Sequence, residues 1–179
     1  MEYPLSKKTL SVNETVFEGC AEQPIDLDYS LPDYCPDMQK ILKCQVYPKI
    51  FTRNISGDKL DVDGAAAVRI LYLDSVKKSV RCSEYTVPFT CSFNLKTTPQ
   101  NAVAFAYAKP EYLNCRALSP RRLDIHGAFS VCARVVSKTE KEAVCGIEGD
   151  DIQMKPALCP VSTVTGCTQQ LFTITEDIE

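Results

Sequence analysis

Residues 118–136 read LSPRRLDIHGAFSVCARVV, and residues 55–73 read ISGDKLDVDGAAAVRILYL. One constant offset pairs Ser119 with Ser56, Leu123 with Leu60, Asp124 with Asp61, Ile125 with Val62, Gly127 with Gly64, Ala128 with Ala65 and Val131 with Val68. Continued without a gap, it brings Cys145 onto Cys82. In the earlier copy Leu60, Val62, Gly64, Ala66, Val68, Ile70 and Tyr72 share one face by strict alternation, with Asp61, Asp63 and Arg69 on the other. That is the period of a half-buried β-strand. Leu71 and Leu73 interrupt the polar face and predict cover on both sides at that end. Glycine weakens a strand interior and marks a bend or a close backbone approach. Two strands with glycine at the same place predict two related half-units packed together.

The flanking sequence follows the same period. Residues 44–53 are rich in β-branched and aromatic types and run to a turn around 54–58, while Pro48 within them points to an edge strand or a bulge. Residues 79–87 and 89–95 read as strands on either side of Pro88, and residues 102–108 as a strand in preference to a short helix. Residues 14–28 form an extended stretch, and residues 170–178 alternate as a strand close to the C-terminus. Helical signals are scarce, and the best is at residues 36–42, where Pro36 and Asp37 suit a first turn and predict one short helix. The fold expected is all-β: two related half-units packed as a sandwich-like domain. The N-terminal segment, loop and helix occupy 1–43, the first half-unit 44–110, and the second, with its C-terminal strand, 111–179.

The chain is 45% hydrophobic and 24% charged over 179 residues, enough for one core or two small ones. A formal net charge of -3 and scattered basic residues exclude a nucleic-acid footprint. No apolar run reaches the length of roughly 18 residues that a membrane span needs. The start, Met1 to Lys8, lacks the apolar stretch of a signal peptide, which predicts synthesis in a cytoplasm. The ten cysteines sit uneasily with a purely reducing setting. None has the close spacing of a zinc knuckle, so core thiols and later cross-links are the readings left. Cys20, Cys35, Cys159 and Cys167 are the candidates for cross-linking.

The catalytic inventory is thin. His126 is the only histidine, and it shares a strand face with Asp124 and Cys132. Cys132 lies about 20 Å further along at standard strand rise, too far for an activating hydrogen bond. No phosphate-binding or nucleophile-elbow motif is present. Asp61 with Asp63 lacks the spacing of a calcium loop. We therefore expect no catalytic residue, no cofactor and no metal.

Two clusters suit binding instead. One is the loop holding Tyr29, Leu31 and Tyr34; the other holds Arg116, Arg121 and Arg122. Each has a structural alternative. The loop can dock on the chain's own sheet, and the arginines can pair with Asp61, Asp63 or Asp124 across neighbouring strands.

Leu31-Pro32-Asp33-Tyr34-Cys35-Pro36-Asp37, running into Lys40-Ile41-Leu42, resembles the signature of the SPOCS domain family. Ser56-Gly57-Asp58-Lys59, Val87-Pro88-Phe89 and Ser119-Pro120-Arg121-Arg122 are similar to its later motifs. The similarity spans roughly residues 20–150. The family occurs in clostridial spore-coat morphogenetic proteins such as SipL, often followed by a LysM domain. No LysM-like segment follows residue 150, so partner binding assigned to that domain does not carry over. The resemblance implies an assembly role in the spore envelope, without known enzymatic activity. The expectation is a self-associating structural protein of the spore coat or outer spore layer. It would be made in the mother-cell cytoplasm and end in the coat or at the spore surface. Its partners would be itself, other spore-coat proteins, or both. Head-to-tail contacts that do not close would give fibres. The second expectation is a monomeric adaptor for a coat morphogenetic protein.

Overall fold

Leu60, Val62, Ala66, Val68 and Ile70 have no exposed surface, and Tyr72 has almost none, so the alternation read from the sequence is the alternation of burial. A computed structural model describes residues 4–149 and 152–168 together with Gln170, Phe172 and Ile174. Among the described residues there are six strands and no helix: β1 (Leu5–Ser30), β2 (Met38–Ser56), β3 (Lys59–Asp74), β4 (Val80–Asn94), β5 (Ala102–Ala117) and β6 (Arg122–Ile147). They form two antiparallel sheets, in the orders β2-β3-β4 and β1-β6-β5. The inner faces share one hydrophobic core, with Leu123, Ile125, Val131 and Val135 of β6 as deeply buried as the β3 residues. Each such side chain contributes about 1.5–3 kcal/mol of burial. Phe89 of β4 meets Phe129 of β6 at 4.8 Å, and Phe17 of β1 meets Phe93 of β4 at 5.3 Å. The expected all-β sandwich is the fold observed.

The repeated motif supplies the central strand of each sheet. In both, the preceding strand forms a hairpin with it, β2 with β3 and β5 with β6. The third strand differs in origin. β4 follows β3 directly, whereas β6 takes β1 from the opposite end of the chain. Gly64 faces Ile50, and Gly127 faces Leu113, pairs related by the same offset. A β-carbon on Gly64 would strike the carbonyl oxygen of Lys49, and one on Gly127 that of Tyr112. Lys49 and Tyr112 are again equivalent positions. The shared glycine is therefore a close approach of the hairpin partner's backbone. The equivalence ends at Asp74, where the chain turns, while β6 runs on to Ile147 beside β1. Cys145 thus lies in β6 and Cys82 in β4, so their match in sequence is not a match in place.

Every edge strand carries an internal proline: Pro24 in β1, Pro48 in β2, Pro88 in β4 and Pro110 in β5. The two central strands carry none. Proline cannot donate to a ladder and is tolerated where one side of the strand is unpaired. For the same reason β4 passes through Pro88 as one continuous strand rather than two.

The helix expected over residues 36–42 is not formed. Met38 opens β2 instead, donating its amide to the carbonyl of Pro120, while the carbonyl of Asp37 accepts from Ser75. Backbone groups that a helix would pair internally are taken by turns from both sheets, and Met38 is buried in the core. Leu71 and Leu73 are only half-buried, so that end of β3 is not fully covered outside. Most of the strand expected over 170–178 lies outside the described residues, and Gln170, Phe172 and Ile174 are not in a strand.

Candidate functional site

The connection between β1 and β2 crosses from one sheet to the other, and its path is set by Arg121. Residues Pro32 to Cys35 make a turn closed by the Cys35 amide on the Pro32 carbonyl at 2.9 Å. Arg121, in the β5–β6 turn, reaches into it. Its Nη1 donates to the Cys35 carbonyl at 3.0 Å and to Asp37 Oδ1 at 2.8 Å. Its Nη2 donates to the carbonyls of Leu31 at 3.3 Å and Pro32 at 2.8 Å. A planar guanidinium with its fork of donors suits such a convergent set of oxygens, and an ammonium does not. The Arg121 backbone takes part as well, its carbonyl accepting from Leu31 at 2.8 Å.

Arg121 is itself positioned locally. Ser119 Oγ accepts from the amides of Arg121 and Arg122 at 3.3 and 3.1 Å, a serine turn that points the guanidinium back along the sandwich end. The neighbouring β3–β4 turn is organised by Asp74, whose carboxylate is buried. It accepts from the amides of Val76 and Lys77, from Ser79 Oγ at 2.6 Å, and from Arg81 Nε at 3.4 Å. The Ser79 hydroxyl, the two amides and Arg81 hold the carboxyl down at about 2, against the opposing effect of burial. Under the loop, the titration of the Tyr72 hydroxyl is pushed up to about 12, chiefly by burial and then by the nearby Cys35 thiol.

The result is a bound loop with an exposed tip. Tyr34 is 87% exposed and Asp33 stands beside it in solvent. Of the other residues singled out in the sequence, Leu31 packs into the core. Tyr29 is buried too, its hydroxyl sharing a 2.7 Å hydrogen bond with Ser83 of β4. Arg122 pairs with Asp28 of β1. Arg116 is exposed on β5 opposite Asp124. The pairings of arginine with Asp61, Asp63 and Asp124 offered by the sequence are not the ones made by Arg121 and Arg122. Asp63 accepts from Thr52 and Thr90, Asp61 from Ser92, and Asp124 faces His126 Nε2 at 2.8 Å. His126 is half-exposed, with Asp26 on its other nitrogen at 3.2 Å.

Asp74 is not among the residues singled out by sequence, and Ser119 stands out there only within the repeat and a family motif, not as the residue that positions Arg121. Asp74 had a signal, because the alternation from Leu60 to Tyr72 carries it onto the inner face. A buried carboxylate at a strand end must be capping something.

Cys20 and Cys132, opposite one another in β1 and β6, are joined by a disulfide. Cys35, Cys44 and Cys115 are half-buried and Cys91 is buried, its thiol pushed up by desolvation. Cys82, Cys145, Cys159 and Cys167 are exposed. Among the described residues no helix is long and apolar enough to cross a membrane.

Compared with known families, residues 37–118 match the SipL, SPOCS domain family. The matched segment holds β2 to β5 and runs from the residue that Arg121 clamps to the start of the turn that carries Arg121. No curated protein and no solved structure matches the chain.

Proposed function

We propose that this chain is a sporulation protein that acts by assembly, as a structural component of the spore coat or outer spore layer, and that Tyr34 and its neighbours form a docking point. The observation that carries the reading is the Arg121 clamp. It spends a guanidinium and four acceptors on holding a loop whose tip is left to solvent. A preordered loop loses little further entropy when a partner binds, and an exposed tyrosine supplies a large amphipathic contact. The SPOCS match supplies the sporulation context. The non-enzymatic reading is supported by His126, which lies between two carboxylates with no thiol or hydroxyl nucleophile bonded to it among the described residues.

A second reading, the monomeric adaptor, is favoured by the prolines in all four edge strands. Proline blunts an edge against adding strands from another copy. Self-association would then run through loops or exposed cysteines rather than sheet extension.

Light scattering across a concentration series, with and without reductant, separates the two. Self-assembly predicts species larger than a monomer. Tyr34→Ala should return them to monomers without moving the melting temperature. A wild-type chain that stays monomeric in both conditions overturns self-assembly in favour of the adaptor.

A further inference from the structure

β2 and β5 are the edge strands that meet along one flank of the sandwich. No ladder joins them, so this flank is held by side chains alone. Cys44 of β2 and Cys115 of β5 both pack against the core cluster from this flank: the groove between the strands sets Cys44 beside Leu113, which shares a face of β5 with Cys115, and each thiol shifts the other's titration. Beside them runs a groove of about 430 Å³, lined by Cys44, Val46, Pro110 and Leu113 among others. A small oxidant has access there. The disulfide already present, Cys20–Cys132, lies within one sheet. It does nothing to hold the two sheets together.

We infer that Cys44 and Cys115 are a built oxidation site, forming a second disulfide that staples the two sheets of the sandwich. The co-reactant is a small-molecule disulfide. The Cys115 thiolate attacks one of its sulfurs, giving a mixed disulfide and expelling one small thiol. Cys44 then loses its proton and attacks the Cys115 sulfur, expelling the second thiol. Two protein thiols are oxidised by two electrons, and one small disulfide is reduced to two thiols. The balance is the same whichever of the two thiolates attacks first. The site is independent of the docking loop, which lies at the end of the sandwich rather than on this flank.

The test is disulfide mapping of the full chain. Reduced, folded protein is treated with oxidised glutathione, its remaining thiols are alkylated in denaturant, and it is digested with trypsin without reduction. Cys44 is the only cysteine between Lys43 and Lys49, and Cys115 the only one between Lys96 and Arg116. The expected product is residues 44–49 linked to residues 97–116, enriched over the same oxidation performed in urea. Two alkylated peptides overturn the inference, as does Cys44 joined to another cysteine or a yield no higher than in urea. No variant is needed, so the result does not depend on a substituted chain folding.

Discussion

The carbonyl oxygen of Tyr112 occupies the space in which a side chain on Gly127 would begin. Lys49 stands in the same relation to Gly64 in the other sheet. The obstruction is backbone in a central ladder, which cannot swing aside as a flexible side chain would. Gly127→Ala and Gly64→Ala should each destabilise the fold by about 3 kcal/mol, the upper end for overpacking. Gly166→Ala, with nothing near its added carbon, should leave the urea midpoint unchanged. Equal midpoints for all three variants would remove the close-approach account of the repeated glycine.

Arg121 holds the β1–β2 connection through backbone carbonyls, so its loss should be read locally. In Arg121→Ala, amide exchange over residues 31–38 should accelerate by about tenfold or more, while the central strands keep their protection. Arg121→Lys should behave nearly the same, because an ammonium cannot meet the Cys35, Asp37, Leu31 and Pro32 oxygens together. Full rescue by lysine would show that charge rather than fork geometry holds the loop.

How far these features could be read from sequence depends on the range of the interaction behind each. Strand periods from Leu60 to Tyr72 are local and were legible, as was the edge position of Pro48. The doubled glycine was legible as a bend or a close approach, though not which of the two, nor the atom approached. The helix over 36–42 was misread because Pro36 and Asp37 serve a turn as well as a helix start, and tertiary bonds from Pro120 and Ser75 decided between them. The arginine cluster stood out, but its use did not. Arg121 meets acceptors about 90 residues away, and nothing local distinguishes them from Asp61 or Asp63. Two similar strands also do not reveal that β1, from the far end of the chain, completes the second sheet.

Asp74 makes stability depend on acid. Its carboxyl is held at about 2 in the folded protein, below its ordinary value near 4, first by the Ser79 hydroxyl. Above about pH 4 it is ionised in both states, and its hydrogen bonds favour the fold in full. Below that the unfolded chain takes up the proton first, so stability is lost as pH falls toward 2. Chemical denaturation from pH 5 to pH 2 should show this loss, and Asp74→Asn should flatten it. A variant with the wild-type slope would assign the acid loss to other carboxylates.

Cys20 and Cys132 tie β1 to β6 across a sequence separation of 112 residues. β1 is the one strand of its sheet that cannot reach its place through a hairpin. Its ladder forms only after a long loop closes, an entropic cost that short connections spare β5. A cross-link over such a separation removes much of that freedom from the unfolded chain, with a typical effect of about 2–4 kcal/mol. Replacing both cysteines by serine should lower stability by that amount in urea denaturation. The double variant is the right one, because a single substitution would leave the partner thiol unpaired. Loss of amide protection should concentrate in β1, with β2, β3 and β4 little changed, since their sheet closes through consecutive hairpins. In protein whose Cys44 and Cys115 are still thiols, reductant should reproduce the shift in the wild-type chain and add nothing to the variant. An unchanged midpoint would mean that the 26-residue β1 is held by its ladder alone, and that the disulfide serves something other than stability.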